Sequence, residues 1–190
     1  SGFLISGSLF EELANSSRIK LAQFWARRVR RLLPAALLVI ALTAIVSLFV
    51  VPAFTRQSFF GEAIASTFYF ENWQLAASAT NYFGGEPSPF QHYWSLAVEE
   101  QFYVVWPVLL TLIAVAFRKR SSAAIRAFLG LATTASFIYS LYLSYAQPSL
   151  AYFNTFGRVW EFGLGAAVAL LGHRVRLSKL GQTIFSIGGF

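Results

Sequence analysis

The apolar residues of this chain come in long blocks separated by short polar or basic stretches. Leu32 to Val51 is a run of 20 residues without a charged side chain. As a helix rising about 1.5 Å per residue, it matches the roughly 30 Å hydrocarbon core of a bilayer. Pro34 falls in the first turn of that expected helix, where a missing N–H costs little, and Pro52 closes it. Trp94 to Phe117, Ala127 to Ala146 and Tyr152 to Leu171 read as further spans, the first with a kink expected at Pro107. Ser1 to Phe10 reads as the tail of one helix and Leu180 to Phe190 as the start of another. Ser58 to Ser78 differs: Ser58, Glu62, Ser66, Thr67, Glu71, Gln74 and Ser78 recur at helical spacing among aromatics and alanines, predicting one amphipathic helix. The glycine- and proline-containing stretch Asn81 to Gln91 predicts a loop.

The pattern therefore predicts an all-α polytopic transmembrane helix bundle, with about four full spans, partial spans at both ends and one amphipathic helix. Residues 1–190 form part of a single membrane-embedded domain that is expected to be cut at both ends. Three basic knots abut the apolar runs: Arg27 to Arg31, Arg118 to Arg120, and His173 to Arg176. With all three on one side of a membrane, successive spans alternate in direction, provided that Ser58–Ser78 does not cross.

Composition strengthens this reading. Hydrophobic residues make up 56% of the chain and charged residues 12%, about half of what a soluble domain carries, and the mean hydropathy is +0.57. The net charge of +7 does not point to nucleic acid, because the basic residues sit in knots beside apolar runs and not on a soluble basic surface. With no cysteine and only two histidines, disulfides and thiolate or histidine-rich metal centres are excluded.

Three segments place charge where a membrane makes charge expensive, at about 2.5–3.5 kcal/mol per Asp, Lys or Arg at a helix centre. The first runs from Phe24 to Pro34 and is either a topology anchor or an anion site. Arg28 and Arg31 share a helix face, and guanidinium groups hold phosphate through paired hydrogen bonds. The second runs from Gln91 to Tyr103. Its His92, Ser95 and Glu99 fall on one helix face, and the alternative is a helix start whose acids favour the dipole. No nucleophile elbow accompanies them, which argues against a serine hydrolase. In the third, Arg158 and Glu161 stand three apart and can neutralise each other, while Gly163 and Gly165 permit close helix packing. Buried charges alone fit a non-catalytic bundle or a transporter equally well.

The order of these segments resembles the acyltransferase-3 family of integral membrane O-acyltransferases. Ser1-Gly2-Phe3-Leu4-Ile5 is similar to the family's second-helix ending, and Arg27-Arg28 with Arg31 and Pro34 to its Arg-Arg-x-x-Arg-x-x-Pro element. His92 to Tyr103 resembles its His-x-Trp-Ser-Leu-x-x-Glu-x-Gln-Phe-Tyr signature, and Arg158-Val159-Trp160-Glu161 with Gly165 its Arg-x-Trp-Glu-x-x-x-Gly helix. The resemblance implies transfer of an acyl group, commonly acetyl, from an acyl-CoA co-substrate to a hydroxyl of a cell-envelope carbohydrate, within the cytoplasmic membrane. It implies no permanently bound cofactor and no metal, and its partners are the lipid bilayer, the donor and the acceptor. Carried onto this chain, it assigns Arg27, Arg28 and Arg31 to the donor phosphates and Glu99, His92 and Ser95 to the catalytic interior. Arg158, Glu161 and Trp94 become supporting residues. The family's essential histidine and partner arginine belong to a first helix that this sequence does not contain, which implies that residues 1–190 alone are inactive.

Overall fold

A computed structural model describes residues 1–16, 18–52, 56–77 and 89–172. The third basic knot, the run from Leu180, and the expected loop as far as residue 88 lie outside the described residues. The elements in order are α1 (Gly2–Ser16), α2 (Leu21–Val50), α3 (Arg56–Thr67), α4 (Glu71–Ala77), α5 (Tyr93–Ala116), α6 (Ser121–Ala146), α7 (Pro148–Phe153), a 3-10 turn (Phe156–Arg158) and α8 (Val159–Gly172). Among the described residues all regular structure is helical, as the block pattern predicts.

The core is built around α5. Trp94, Val98, Phe102, Trp106 and Leu110, spaced four apart, form a buried stripe down one side of it. Phe102 stacks on Phe162 of α8, with ring centroids 4.4 Å apart, and Trp106 lies against Phe128 of α6. Paired contacts fix the helix directions. Ser1 meets Glu99 and Ser6 meets Trp106, so α1 runs parallel to α5. Trp25 meets Tyr103, Arg28 meets Glu100 and Ala36 meets Tyr93, so α2 runs antiparallel to it. On α6, Ser136 accepts the Trp160 N–H and Thr133 lies against Gly163, so α6 and α8 are antiparallel. The alternation of α2, α5, α6 and α8 agrees with the directions expected from the sequence.

Three expectations need correction. First, the arginine knot does not precede a helix beginning at Leu32; it lies inside the 30-residue α2, and Pro34 sits mid-helix instead of in a first turn. Second, Ser58–Ser78 is not one helix. It breaks into α3 and α4 because the chain makes a Schellman ending after Thr67: Phe70 N–H reaches Ala65 C=O (2.7 Å) and Tyr69 N–H reaches Ser66 C=O (3.2 Å). The left-handed position of that motif usually holds glycine; here Tyr69 occupies it at φ 54°. Of the polar stripe, Ser66 and Glu71 are buried and Ser58 is exposed, as are the apolar Phe60, Ile64 and Phe68. Third, Tyr152–Leu171 does not span as one helix. Asn154 accepts the Gly157 N–H, and Ser136 accepts the Trp160 N–H while donating to Phe156 C=O, so the polar groups of a chain break are answered locally. The 14-residue α8 that follows is about 21 Å long. Three described helices, α2, α5 and α6, are long and apolar enough to cross a membrane.

Glu71 is wholly buried, with Oε1 unpartnered and Ser66 Oγ 3.5 Å from Oε2. Burial first, and the negative charge of Glu62 second, push its carboxyl up from 4.5 to about 8 against a small opposing effect of the Ser66 hydroxyl. A folded acid that holds its proton more tightly than the unfolded chain loses stability as pH rises between those two values. The melting temperature in detergent should therefore fall between about pH 5 and about pH 8, and Glu71→Gln should remove that part of the slope.

Close helix approach generates a second expectation. A Cβ on Gly165 would stand 2.7 Å from the backbone nitrogen of Phe3, whereas one on Gly130 would meet open space. Gly165→Leu should destabilise the protein by about 1–3 kcal/mol or more, read as a lower melting temperature, while Gly130→Ala should not.

Candidate active site

Pro107 has no N–H to give the Tyr103 carbonyl one turn earlier in α5, so that carbonyl is free to accept elsewhere. The Trp25 indole fills the vacancy, donating to Tyr103 O at 3.2 Å and pinning α2 against α5. One turn further along α2, Arg28 Nε donates to Glu100 Oε1 at 3.3 Å, with side chains only 20% and 13% exposed. The Arg28 guanidinium lies over the Tyr103 ring, 3.1 Å from its centroid. The Tyr103 hydroxyl donates to Glu99 Oε2 at 2.7 Å, as does the Ser1 hydroxyl at the same distance. Both carboxylates are thus tied to one arginine: Glu100 by direct pairing, and Glu99 through the hydroxyl and ring of Tyr103.

Because Glu100 engages Nε, the paired NH₂ groups of Arg28 remain for another acceptor. A cavity of about 600 Å³ opens here, lined by Arg27, Arg28 and Arg31 from α2, Tyr103 from α5, and Ser1 and Ser8 from the α1 side. Three arginines on one wall with an apolar floor of Leu4, Ile5, Phe24 and Leu32 suit an anion carrying an apolar group.

The described contacts also separate some residues that the sequence grouped. Arg27, Arg28 and Arg31 share the cavity, and Glu99 lies one hydrogen bond from Tyr103 on its wall. His92 stands just before the first residue of α5, and the Ser95 hydroxyl donates to the His92 carbonyl at 3.3 Å. Both are exposed, and neither lines the arginine cavity. Arg158 pairs with Glu161 at 3.3 Å, bonds the Tyr152 carbonyl through Nε, and lies over the Trp94 ring at 4.6 Å. Arg158 and Glu161 line a separate cavity of about 230 Å³ with Ser140, Ser144 and Tyr152. Glu100, adjacent to Glu99 and given no role from the sequence, proves to be the direct partner of Arg28. The sequence reading also gave no role to Tyr103, Gln101, Asn72 or Thr155. The signal for the first two was their place in the His92–Tyr103 signature; Asn72 and Thr155 carried none. Among the described residues no group of His, Asp and Glu converges to hold a metal ion.

The two described basic knots lie at different heights. Arg28 is level with Glu100, about 24 Å along α5 from Ala116, beyond which Arg118, Lys119 and Arg120 follow. Along α5 the two described knots are therefore well apart, while α2 and α5 keep the opposite directions that the sequence predicts.

Comparison with known proteins is consistent in one direction. The family model described as "Acyltransferase domain" matches residues 1–190. The chain is 36% identical over 183 residues to the peptidoglycan O-acetyltransferase OatA of Listeria monocytogenes, covering 95% of this chain and 29% of that protein. It is 32% identical over 180 residues to the O-acetyltransferase OatA of Staphylococcus aureus, covering 94% of this chain and 30% of the relative. The chain thus spans less than a third of the length of these relatives. No solved structure matches it.

The site geometry makes a test independent of activity. Arg28→Ala strands Glu100 as a mostly buried carboxylate without its cation and should cost about 3 kcal/mol or more in thermal unfolding. Arg27→Ala and Arg31→Ala, at exposed positions, should cost less than about 1 kcal/mol. Adding Glu100→Ala to Arg28→Ala should recover part of the loss, because the stranded charge is then gone.

Proposed function

The chain belongs to the acyltransferase-3 family, and from that premise we propose that it forms part of a multi-pass enzyme of the bacterial cytoplasmic membrane. In this reading the enzyme transfers an acetyl group to a hydroxyl of a cell-wall carbohydrate. The relatives named for O-acetyltransfer to peptidoglycan support the acceptor class, and the three helices of spanning length support the membrane setting. The donor in our reading is an acyl-CoA, with acetyl-CoA as the first to try.

The observation that carries the donor assignment is the convergence of Arg27, Arg28 and Arg31 on one cavity with the Arg28 fork uncommitted. Acyl transfer from a thioester forms an ester bond to the acceptor oxygen and breaks the C–S bond. The thiolate leaves, and the hydroxyl proton passes to a base. The arginines hold the anionic part of the donor; Glu100 and Tyr103 hold Arg28 in place; Glu99 with its two hydroxyl donors supplies a carboxylate at the cavity edge.

Replacing both Arg28 and Arg31 with lysine keeps the positive charge but removes two-pronged phosphate contacts. In the full-length enzyme the apparent KM for acetyl-CoA should rise about tenfold or more, the worth of a lost charge-assisted hydrogen bond. Loop-accessibility labelling should show unchanged topology. An unchanged KM would leave these arginines as structural and send the search for the donor site elsewhere, beginning at Arg158.

A further inference from the structure

Gln101 follows the two carboxylates directly, yet its contacts lie on the other flank of α5, against α4 and the connection after α7. All four hydrogen-bonding positions of its amide are taken. Its Oε1 accepts from Trp73 Nε1 at 3.2 Å and from Thr155 Oγ1 at 2.6 Å. Its Nε2 donates to Tyr69 O at 2.8 Å and to Asn72 Oδ1 at 2.9 Å. An indole N–H can only donate and a backbone carbonyl can only accept, so Trp73 and Tyr69 leave the amide a single orientation. Asn72, wholly buried, is oriented in the same way by the Phe153 carbonyl, to which its Nδ2 donates at 3.0 Å. Thr155 then has one arrangement: it accepts from Asn72 Nδ2 at 2.9 Å and donates to Gln101 Oε1.

Asn72, Thr155 and Gln101 therefore close a directed ring of hydrogen bonds joining α4 and the connection after α7 to one point on α5. We propose that this ring positions the candidate site: it fixes the rotation of α5, so that Glu100 and the Tyr103 ring both meet Arg28 of α2. The leverage is geometric. A turn of the helix by about 20° moves a side-chain end about 6 Å from the axis by about 2 Å, enough to break a 3.3 Å contact. Gln101, Asn72 and Thr155 are positioning residues; none lines the arginine cavity. The inference rests on the reading of Arg28 and Glu100 as part of the active site.

The test compares the full-length protein with Gln101→Glu, which keeps the shape but turns both donors into acceptors facing Tyr69 O and Asn72 Oδ1. Thr155→Val, which removes the hydroxyl and with it one donated and one accepted bond of the ring, is the second variant should Gln101→Glu fail to fold. Residue-resolved labelling of arginines by phenylglyoxal reads the site without requiring turnover. In both variants Arg28 should react about fivefold faster or more as Glu100 swings away, while Arg27 and Arg31 stay unchanged. In a Glu100→Gln background the same substitutions should add nothing to Arg28 labelling. Acetyl transfer by Gln101→Glu should fall about tenfold or more and partly recover at lower pH, where the introduced acid is neutral and donates again. Unaltered Arg28 labelling in a folded variant overturns the proposal; so does an equal rise at every arginine, which would mean general loosening. If the unaltered protein transfers no acetyl group from acetyl-CoA, the donor reading fails, and the labelling still decides the role of the ring.

Discussion

Polar groups within an apolar bundle must be answered by the protein itself, because lipid offers no hydrogen bonds. That constraint centres on α5, whose N-terminal half carries Glu99, Glu100, Gln101 and a Tyr103 carbonyl released by Pro107. Each demand is met by a different neighbour: Ser1 beside α1 for Glu99, Trp25 and Arg28 of α2 for the carbonyl and Glu100, α4 and the α7 connection for Gln101. The Trp106 indole likewise donates to Ser6 of α1 at 2.9 Å. Hydrophobic packing along the Trp94–Leu110 stripe brings the helices together, and these polar matches set their register.

The sequence showed the spanning runs and their alternating directions because both follow from hydropathy and charge, which act over whole segments. It did not show the two chain breaks, because each depends on an unusual local choice. Tyr69 takes a left-handed position where glycine would have announced a helix end. Asn154 and Ser136 answer the polar groups of a break inside what reads as a continuous apolar run. The arginines of the candidate site were legible from their helical spacing and from the family resemblance. The choice between Glu99 and Glu100 was not, since it depends on which helix packs against which side of α5, and pattern along one helix carries no record of its neighbours. Asn72 and Thr155 were invisible for the same reason: they act only across 29 and 54 residues of chain, through Gln101.

Arg158 illustrates how one residue type serves two structural tasks. Its guanidinium is spent on Glu161, on the Tyr152 carbonyl, and on the faces of Trp94 and Tyr152. It is a tie within the bundle, holding the α7 connection against α5. Arg28 is tied through Nε alone and by its flat face. The difference between a structural arginine and one open to a ligand lies in how many of its donors the fold has already claimed.

The height of Arg28 has an electrical consequence. Its cavity lies about 24 Å along α5 from the helix end next to the Arg118 knot, a large fraction of a bilayer's thickness. A polyanion drawn to that level from one side of an energised membrane crosses part of the voltage drop. A full crossing is worth about 2.3 kcal/mol per charge for each 100 mV. An anion that reached Arg28 from the Arg118 side of such a membrane would bind with a dependence on membrane potential, which detergent-solubilised protein, feeling no such field, would lack.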